Sequence, residues 1–493
     1  MTTTKPQDRD LRQGVADPRV RTALVFLASV AALAAVRAWQ IVGRGAVWWN
    51  DSADFLASAH TGLFSVERWA GPRTAAAPLV LSLARFEPGT YVGWQAAIAV
   101  GCWAALATSV WTVMGAGRAR RLGPLAVVGF ACTVPVTMWE RSVLSESLAV
   151  STLALTLAAA LQLARGVEGG FRGSRRPADA VSAHVVRPAK STPIAGWIVA
   201  VLAASGLWLL TRDSHAAVVL IAAVALGVGL VVAGWRSRRR ATDDGRRERG
   251  RAVRGLIPLA CWLFALGGVA WVAASHGHRY VFPLRNVFEA RVLAYPDRVS
   301  WFADHGMPQA ERFAGPAAPA PAMRGEGDAP VVHVADDEPD VQEWLAWVAQ
   351  HGRGAIAAWM ATHPAYVVTE PLRDPERTFN NAGGNRSFYA SPDQREVPFV
   401  TGALVPDRWV ALAGVAAVAA WATRRQRWGS PLLVVGAGSV ALALPHALVS
   451  WHTDAMETAR HLIVPALQLH LGALLMVLGV AGAHRGRPVA SEQ

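Results

Sequence analysis

Apolar residues along this chain gather in runs of about 20, the length at which a helix crosses the hydrocarbon core of a bilayer. Ten such runs predict ten spans: Thr22–Gly43, Val92–Met114, Leu122–Met138, Val143–Leu163, Ile194–Leu210, Ala216–Trp235, Leu256–Ala274, Trp409–Ala422, Pro431–Val449 and Leu462–Val480. The shorter runs are expected to tilt or to extend at their ends. No soluble fold needs so many continuous apolar segments. The expected fold class is an all-α polytopic membrane protein.

The polar segments between the runs then sort by charge. One alternate set carries Arg118, Arg120 and Arg121, then Arg165 through Lys190, then the basic run Arg236–Arg254, then Arg424, Arg425 and Arg427. Basic residues collect in loops on the cytoplasmic side, so this set and both tails are expected in the cytoplasm. The formal net charge of +13 is spread over these clusters. It forms no single patch, and no nucleic-acid partner is expected. A polar stretch precedes the first run, which is too long for a signal core and is expected to stay as a span. The expected division is a tail (1–21), a membrane core (22–274) with a first outer loop (44–91), an outer loop domain (275–408), C-terminal membrane helices (409–480) and a second tail (481–493).

Two outward segments are more than connectors. In the first outer loop Trp49, Leu56 and Leu63 recur every seven residues, while Asp51, Asp54 and Ser58 fall at i, i+3 and i+7. That pattern predicts a helix lying in the interface, with two carboxylates held above the membrane. Thr74–Ala84 is apolar but too short to span, and reads as a second interfacial or re-entrant segment. The large loop contains helical patterns around Val341–Ala349 and Gly354–Thr362, with no obvious core of its own.

Ionisable groups at membrane boundaries are costly and tend to be functional. Asp51 or Asp54 suits a general base, against the bland reading of a solvated helix face. Glu146 is expected about one turn inside the fourth span, with Arg141 as the nearby cation. A structural ion pair competes there with a catalytic role. Arg212 and His215 lie in the turn Thr211–His215, where an arginine suits a lipid phosphate and also the simpler task of snorkelling to head groups. Asp454, Glu457, Arg460 and His461 form the last outer turn, with Asp454, Glu457 and Arg460 expected on one helical face. The three cysteines fall inside apolar runs and read as small buried residues. No phosphate-binding glycine loop and no metal-ligand spacing occurs. No cofactor is therefore implied, and a divalent metal lacks support in the sequence. Any energy source has to be the substrate itself.

This arrangement resembles the GT-C superfamily of membrane glycosyltransferases, which use polyprenyl-phosphate-linked sugars. The resemblance rests on the acidic pair after the first span, on Ser145-Glu146, on Arg212 in a central outer turn, and on Arg460, His461 and Pro465 in the late ETARHLIVP element. His461 departs from the tyrosine common at that place. The match covers residues 20–235 and 405–480, outside the large loop. It implies that Asp51 or Asp54 acts as base on the acceptor, and Glu146 is the further candidate catalytic residue. It also implies that basic residues hold the lipid phosphate, and that transfer inverts the anomeric centre. The candidate substrate-binding residues are then Arg141, Arg212, His215, Glu457, Arg460 and His461. The implied partners are a polyprenyl-phosphate-linked sugar, a cell-envelope glycan or glycolipid acceptor, and membrane lipids. Composition rich in Ala, Arg and Gly points to a high-GC bacterium, and so to its cytoplasmic membrane. A transporter or flippase, a polysaccharide polymerase or ligase, and a membrane scaffold using the outer loop to bind a partner are the competing readings. Transporters place ionisable groups near mid-bilayer, whereas here they collect at the outer boundary.

Overall fold

The computed structural model describes residues 18–114, 118–173, 194–240, 243–310, 312, 323–324, 330–332, 339–373, 378, 393–455 and 458–483. In chain order these form α1 (Pro18–Ile41), α2 (Asn50–Ala59), α3 (Val66–Ala70), α4 (Ala76–Leu83), α5 (Pro88–Val113), α6 (Arg118–Ala131), α7 (Val134–Thr137), α8 (Glu146–Gly173), α9 (Ile194–Leu209), α10 (Ser214–Arg240) and α11 (Asp243–His276). A long connection follows, with α12 (Val281–Arg291), α13 (Pro296–Asp304), the antiparallel pair β1 (Met323–Arg324) and β2 (Pro330–Val331), α14 (Pro339–Thr362) and α15 (Pro364–Arg373). Then come α16 (Val400–Leu404), α17 (Arg408–Arg424), α18 (Pro431–Thr453) and α19 (Thr458–Ala483).

The protein is an all-α polytopic membrane protein. Among the described residues eight helices are long and apolar enough to cross a membrane, and α9 is apolar but shorter. The third expected span is not one helix. Thr133 is extended (φ −69°, ψ 152°) and Pro135 starts a new turn, so the run divides into α6 and α7. The amide freed at this break is satisfied from outside, because Val134 N donates to Thr401 Oγ1 at 3.0 Å. The fourth span starts later than expected, at Glu146. Residues before it are drawn into a parallel bridge: Val47 N donates to Arg141 O at 2.8 Å, and Val143 N to Val47 O at 3.0 Å.

The bundle core joins Leu33 of α1, Trp103 of α5, Phe130 of α6, Leu161 of α8 and Leu467 of α19, all at most 1% exposed. Outward faces are apolar too, as lipid contact requires, with Val231 73% and Val269 69% exposed. The last two spans pack backbone to backbone. A Cβ at Gly436 would stand 2.7 Å from Gly472 O, and one at Gly472 would stand 2.9 Å from Gly436 O. Only glycine at both places permits this approach.

The first loop forms its helix on a different face from the one expected. The buried positions of α2 are Ser52, Phe55, Ser58 and Ala59, while Leu63 is 51% exposed. Phe55 and Ala59 pack with Val80 and Leu81 of α4 and with Tyr91 of α5, so the loop is anchored on the bundle through its own small core. The long connection also has a core, where none was expected. Phe288, Phe302, Trp344 and Trp359 lie at its centre. The two expected helices there are one, α14. Gly352, between the two expected patterns, is a close approach: a Cβ there would meet Leu284 at 3.0 Å and Phe288 at 3.1 Å.

Candidate active site

The side chains of interest come from the ends of four helices and from the first loop. Glu146 opens α8 and is completely buried. Its neighbour in sequence, Arg141, is not its partner. Two distant arginines converge on Glu146 Oε1 instead: Arg460 through Nε and Arg212 through Nη2. Arg460 is 4% exposed and Arg212 is 7% exposed. An arginine so enclosed is not snorkelling to head groups.

The network extends from this pair in both directions. Arg460 Nη1 donates to Asp51 Oδ2 at 2.6 Å. The other oxygen of Asp51 accepts from Arg73 Nη2 at 2.8 Å, and Arg73 also binds Asp54. Burial works against the charge on Arg73, but the two aspartates outweigh it and hold the guanidinium above its ordinary value. On the other side Arg212 Nη1 lies 3.0 Å from His461 Nδ1. His461 Nε2 lies 2.9 Å from Asp454 Oδ2. Asn286 Nδ2 of α12 donates to Asp454 Oδ1 at 3.3 Å. Three arginines and four carboxylates thus alternate along one path from the first loop, through the bundle rim, to the long connection.

Local structure sets each position. Asp51 lies in the first turn of α2, and Arg460 and His461 lie in the first turn of α19. Arg212 sits between α9 and α10, where Leu210 O accepts from Ala76 N at 2.9 Å and Thr211 O from Thr74 Oγ1 at 3.1 Å. These bonds tie the turn to the first loop. Asp454 is extended (φ −151°, ψ 149°) beyond the end of α18, so it does not share a helical face with Arg460 as expected. Glu457 lies outside the described residues.

The structure brings together Asp51, Asp54, Glu146, Arg212, Arg460 and His461. Arg141 and His215 are not brought to the network. His215 is fully buried, stacked on Trp208 at 4.1 Å, with His446 5.2 Å away. Its Nδ1 is 2.9 Å from Trp208 O and 3.1 Å from Thr211 Oγ1. Sequence reasoning missed Arg73 and Asn286. Arg73 sits in a segment with no periodic signal, while Asn286 sits in the helix α12; in both cases only the fold carries the side chain to the aspartates. Among the described residues no group of three or more His, Cys, Asp or Glu side chains is placed to hold a metal ion.

No protein-family model matches the chain, and no curated protein matches it. Solved structures do. One is the archaeal oligosaccharyltransferase AglB from Archaeoglobus fulgidus in complex with an inhibitory peptide and a dolichol-phosphate, at 11% identity and TM-score 0.41. Another is an Archaeoglobus fulgidus oligosaccharyltransferase in the apo form, at 10% identity and TM-score 0.39. The alignments cover 92% and 91% of this chain, and the chain spans about half the length of each structure, 50% in both cases.

Proposed function

We propose that this protein is a membrane glycosyltransferase that moves a sugar from a polyprenyl-phosphate donor to a cell-envelope glycan or glycolipid on the outer face of a bacterial cytoplasmic membrane. The observation that carries the reading is the convergence of Arg460 and Arg212 on Glu146, with Asp51 on the same Arg460. Guanidinium groups match phosphate oxygens geometrically. A donor phosphate reaching this rim competes with the carboxylates for Arg460 and Arg212, and that competition releases Asp51 to meet the acceptor.

The acceptor oxygen then attacks the anomeric carbon as the bond from that carbon to the phosphate oxygen breaks. The lipid phosphate leaves with the electron pair and is stabilised by the arginines. The acceptor proton passes to Asp51. A single displacement inverts the anomeric centre. Asp51 takes this role rather than Asp54, because Asp54 is 60% exposed and its ion pair is with Arg73 at the edge of the network, whereas Asp51 is 20% exposed and touches Arg460.

The test uses full-length protein in nanodiscs with a panel of polyprenyl-phosphate sugars, and follows release of polyprenyl phosphate. Asp51→Asn should lower turnover by about 10²- to 10⁴-fold, the usual contribution of a general base. Asp54→Asn should lower it by less than about tenfold on the same scale. Donor affinity in Asp51→Asn should hold or rise, since Arg460 loses a competing carboxylate. Transfer at the wild-type rate by both amide variants would remove the aspartates from the mechanism.

A further inference from the structure

Three arginines that the network does not use meet where residues 39–47, 141–143 and 393–395 come together. Arg141 is 7% exposed. Its Nε and Nη2 both donate to Gly45 O, at 3.1 and 3.0 Å, while its Nη1 is buried without a hydrogen-bond partner. Arg44, next to Gly45, donates from Nη1 to Asp393 O. Arg395 donates from Nη1 to Trp39 O, and its own carbonyl accepts from Gln40 Nε2 at 3.3 Å. All of these acceptors are main-chain carbonyls. Burial holds the Arg141 guanidinium below its ordinary value, Arg44 and Arg395 push the same way, and Asp393 opposes them.

Asp393 offsets these like charges only in part and forms no ion pair with the three arginines among the described residues, so an anion joining them relieves the repulsion that remains. Free snorkelling does not explain the cluster, because Arg141 is enclosed and fixed to Gly45. The surroundings say where the anion comes from. Trp39 and Trp48 are each 44% exposed, and Arg395 lies over the Trp39 ring at 5.2 Å. Exposed tryptophans at a span end mark the level of lipid head groups. Val42, between them, is 67% exposed. The cluster is therefore at the depth of lipid phosphates and opens toward the bilayer.

We propose that Arg44, Arg141 and Arg395 form a binding site for the phosphate ester of a membrane lipid, separate from the Glu146 network and reached from the bilayer at the Trp39–Trp48 rim. Three guanidinium groups offer several donors in fixed forks, and a phosphate ester offers oxygens that accept from them while neutralising the cluster. An ordinary anionic phospholipid and a polyprenyl phosphate share this chemistry. The proposal does not depend on sugar transfer.

Native mass spectrometry and thermal unfolding of the full-length protein in detergent test it. The probes are phosphatidylglycerol, polyprenyl phosphate, diacylglycerol and inorganic phosphate. The two phosphate lipids should bind and raise the unfolding temperature, and the tighter of them identifies the source. Arg44→Gln, Arg141→Gln and Arg395→Gln should each weaken this binding by roughly 10- to 100-fold, the value of one charge-assisted contact. Arg460→Gln should leave it in place. Without lipid, Arg141→Gln should unfold no lower than the wild type, because it removes repulsion; a purely structural role for Arg141 predicts a lower value. Should Arg141→Gln not fold, Arg44→Gln and Arg395→Gln, both only half-buried, decide the question. Equal phosphate-lipid binding in wild type and variants would overturn the proposal. So would diacylglycerol binding as tightly as the phosphate lipids, or inorganic phosphate stabilising as well as they do.

Discussion

Replacing Glu146 by Gln tests whether the buried network is one unit. The side chain is 0% exposed and its Oε1 serves two arginines that are 4% and 7% exposed. The amide keeps the shape and one acceptor oxygen but removes the charge that neutralises them. Breaking a buried pair by removing one partner costs about 3–5 kcal/mol, because the remaining charge stays out of water. The two arginines are not equally affected. Arg460 keeps a second carboxylate, Asp51, at 2.6 Å, whereas Arg212 Nη1 faces the ring of His461 at 3.0 Å. The double variant Glu146→Gln/Arg212→Gln should be more stable than the sum of its singles predicts, by about 0.5–3 kcal/mol. Pairing Glu146→Gln with Arg460→Gln should recover less, because Asp51 is then left without its arginine from α19. Reversible unfolding in mixed SDS micelles, followed by tryptophan fluorescence, gives the four values of each cycle. Additivity within about 0.3 kcal/mol in both cycles would refute the coupling.

Other expectations follow from the same geometry. Cysteines introduced on a cysteine-less background at Gln350 and at Arg425, both exposed, should label from opposite sides of the membrane, with Gln350→Cys reacting from outside; labelling from the same side would break the topology. Trp344→Ala should cost about 3–5 kcal/mol within the core of the long connection and increase hydrogen exchange there, while α5 and α8 keep their protection; uniform loss across the chain would contradict a separate core. Gly472→Leu should separate α18 from α19 and shift Arg460 away from Glu146, lowering donor affinity with the protein still folded; unchanged affinity would mean that this helix crossing does not position Arg460.

Much of the bundle was legible because a bilayer demands long apolar runs. The candidate residues were legible for a related reason: Asp51, Glu146, Arg212, Arg460 and His461 are ionisable groups at span ends, where they are expensive to keep. Their pairing was not legible. Glu146 and Arg141 are near in sequence, yet Glu146 is satisfied by Arg212 and Arg460, which long-range packing brings to it. The break between α6 and α7 carried a local signal, Thr133 before Val134-Pro135, but hydropathy alone ran across it. In α14 the opposite occurred. Gly352 and Gly354 each cost a helix up to about 1 kcal/mol, and burial of Trp344, Val348, Ile356 and Trp359 on one core outweighs that cost, so the two expected patterns are one helix. Arg73 had no pattern to mark it.

The attachment of the long connection constrains how the protein could be rebuilt. Asn286 bonds Asp454, Arg291 donates to the Trp451 carbonyl and lies over that ring at 4.5 Å, and His452 Nε2 lies 2.9 Å from Val367 O. Two residues at the end of α18 and one just past it therefore serve as the socket for a segment encoded more than 80 positions earlier. A chimera that takes this segment from a relative, with junctions near 275 and 408, would leave the matching socket behind in the host. A working transplant has to bring 451–454 along with 281–373, so that recombination in this protein is restricted to exchanges that carry two separated stretches together.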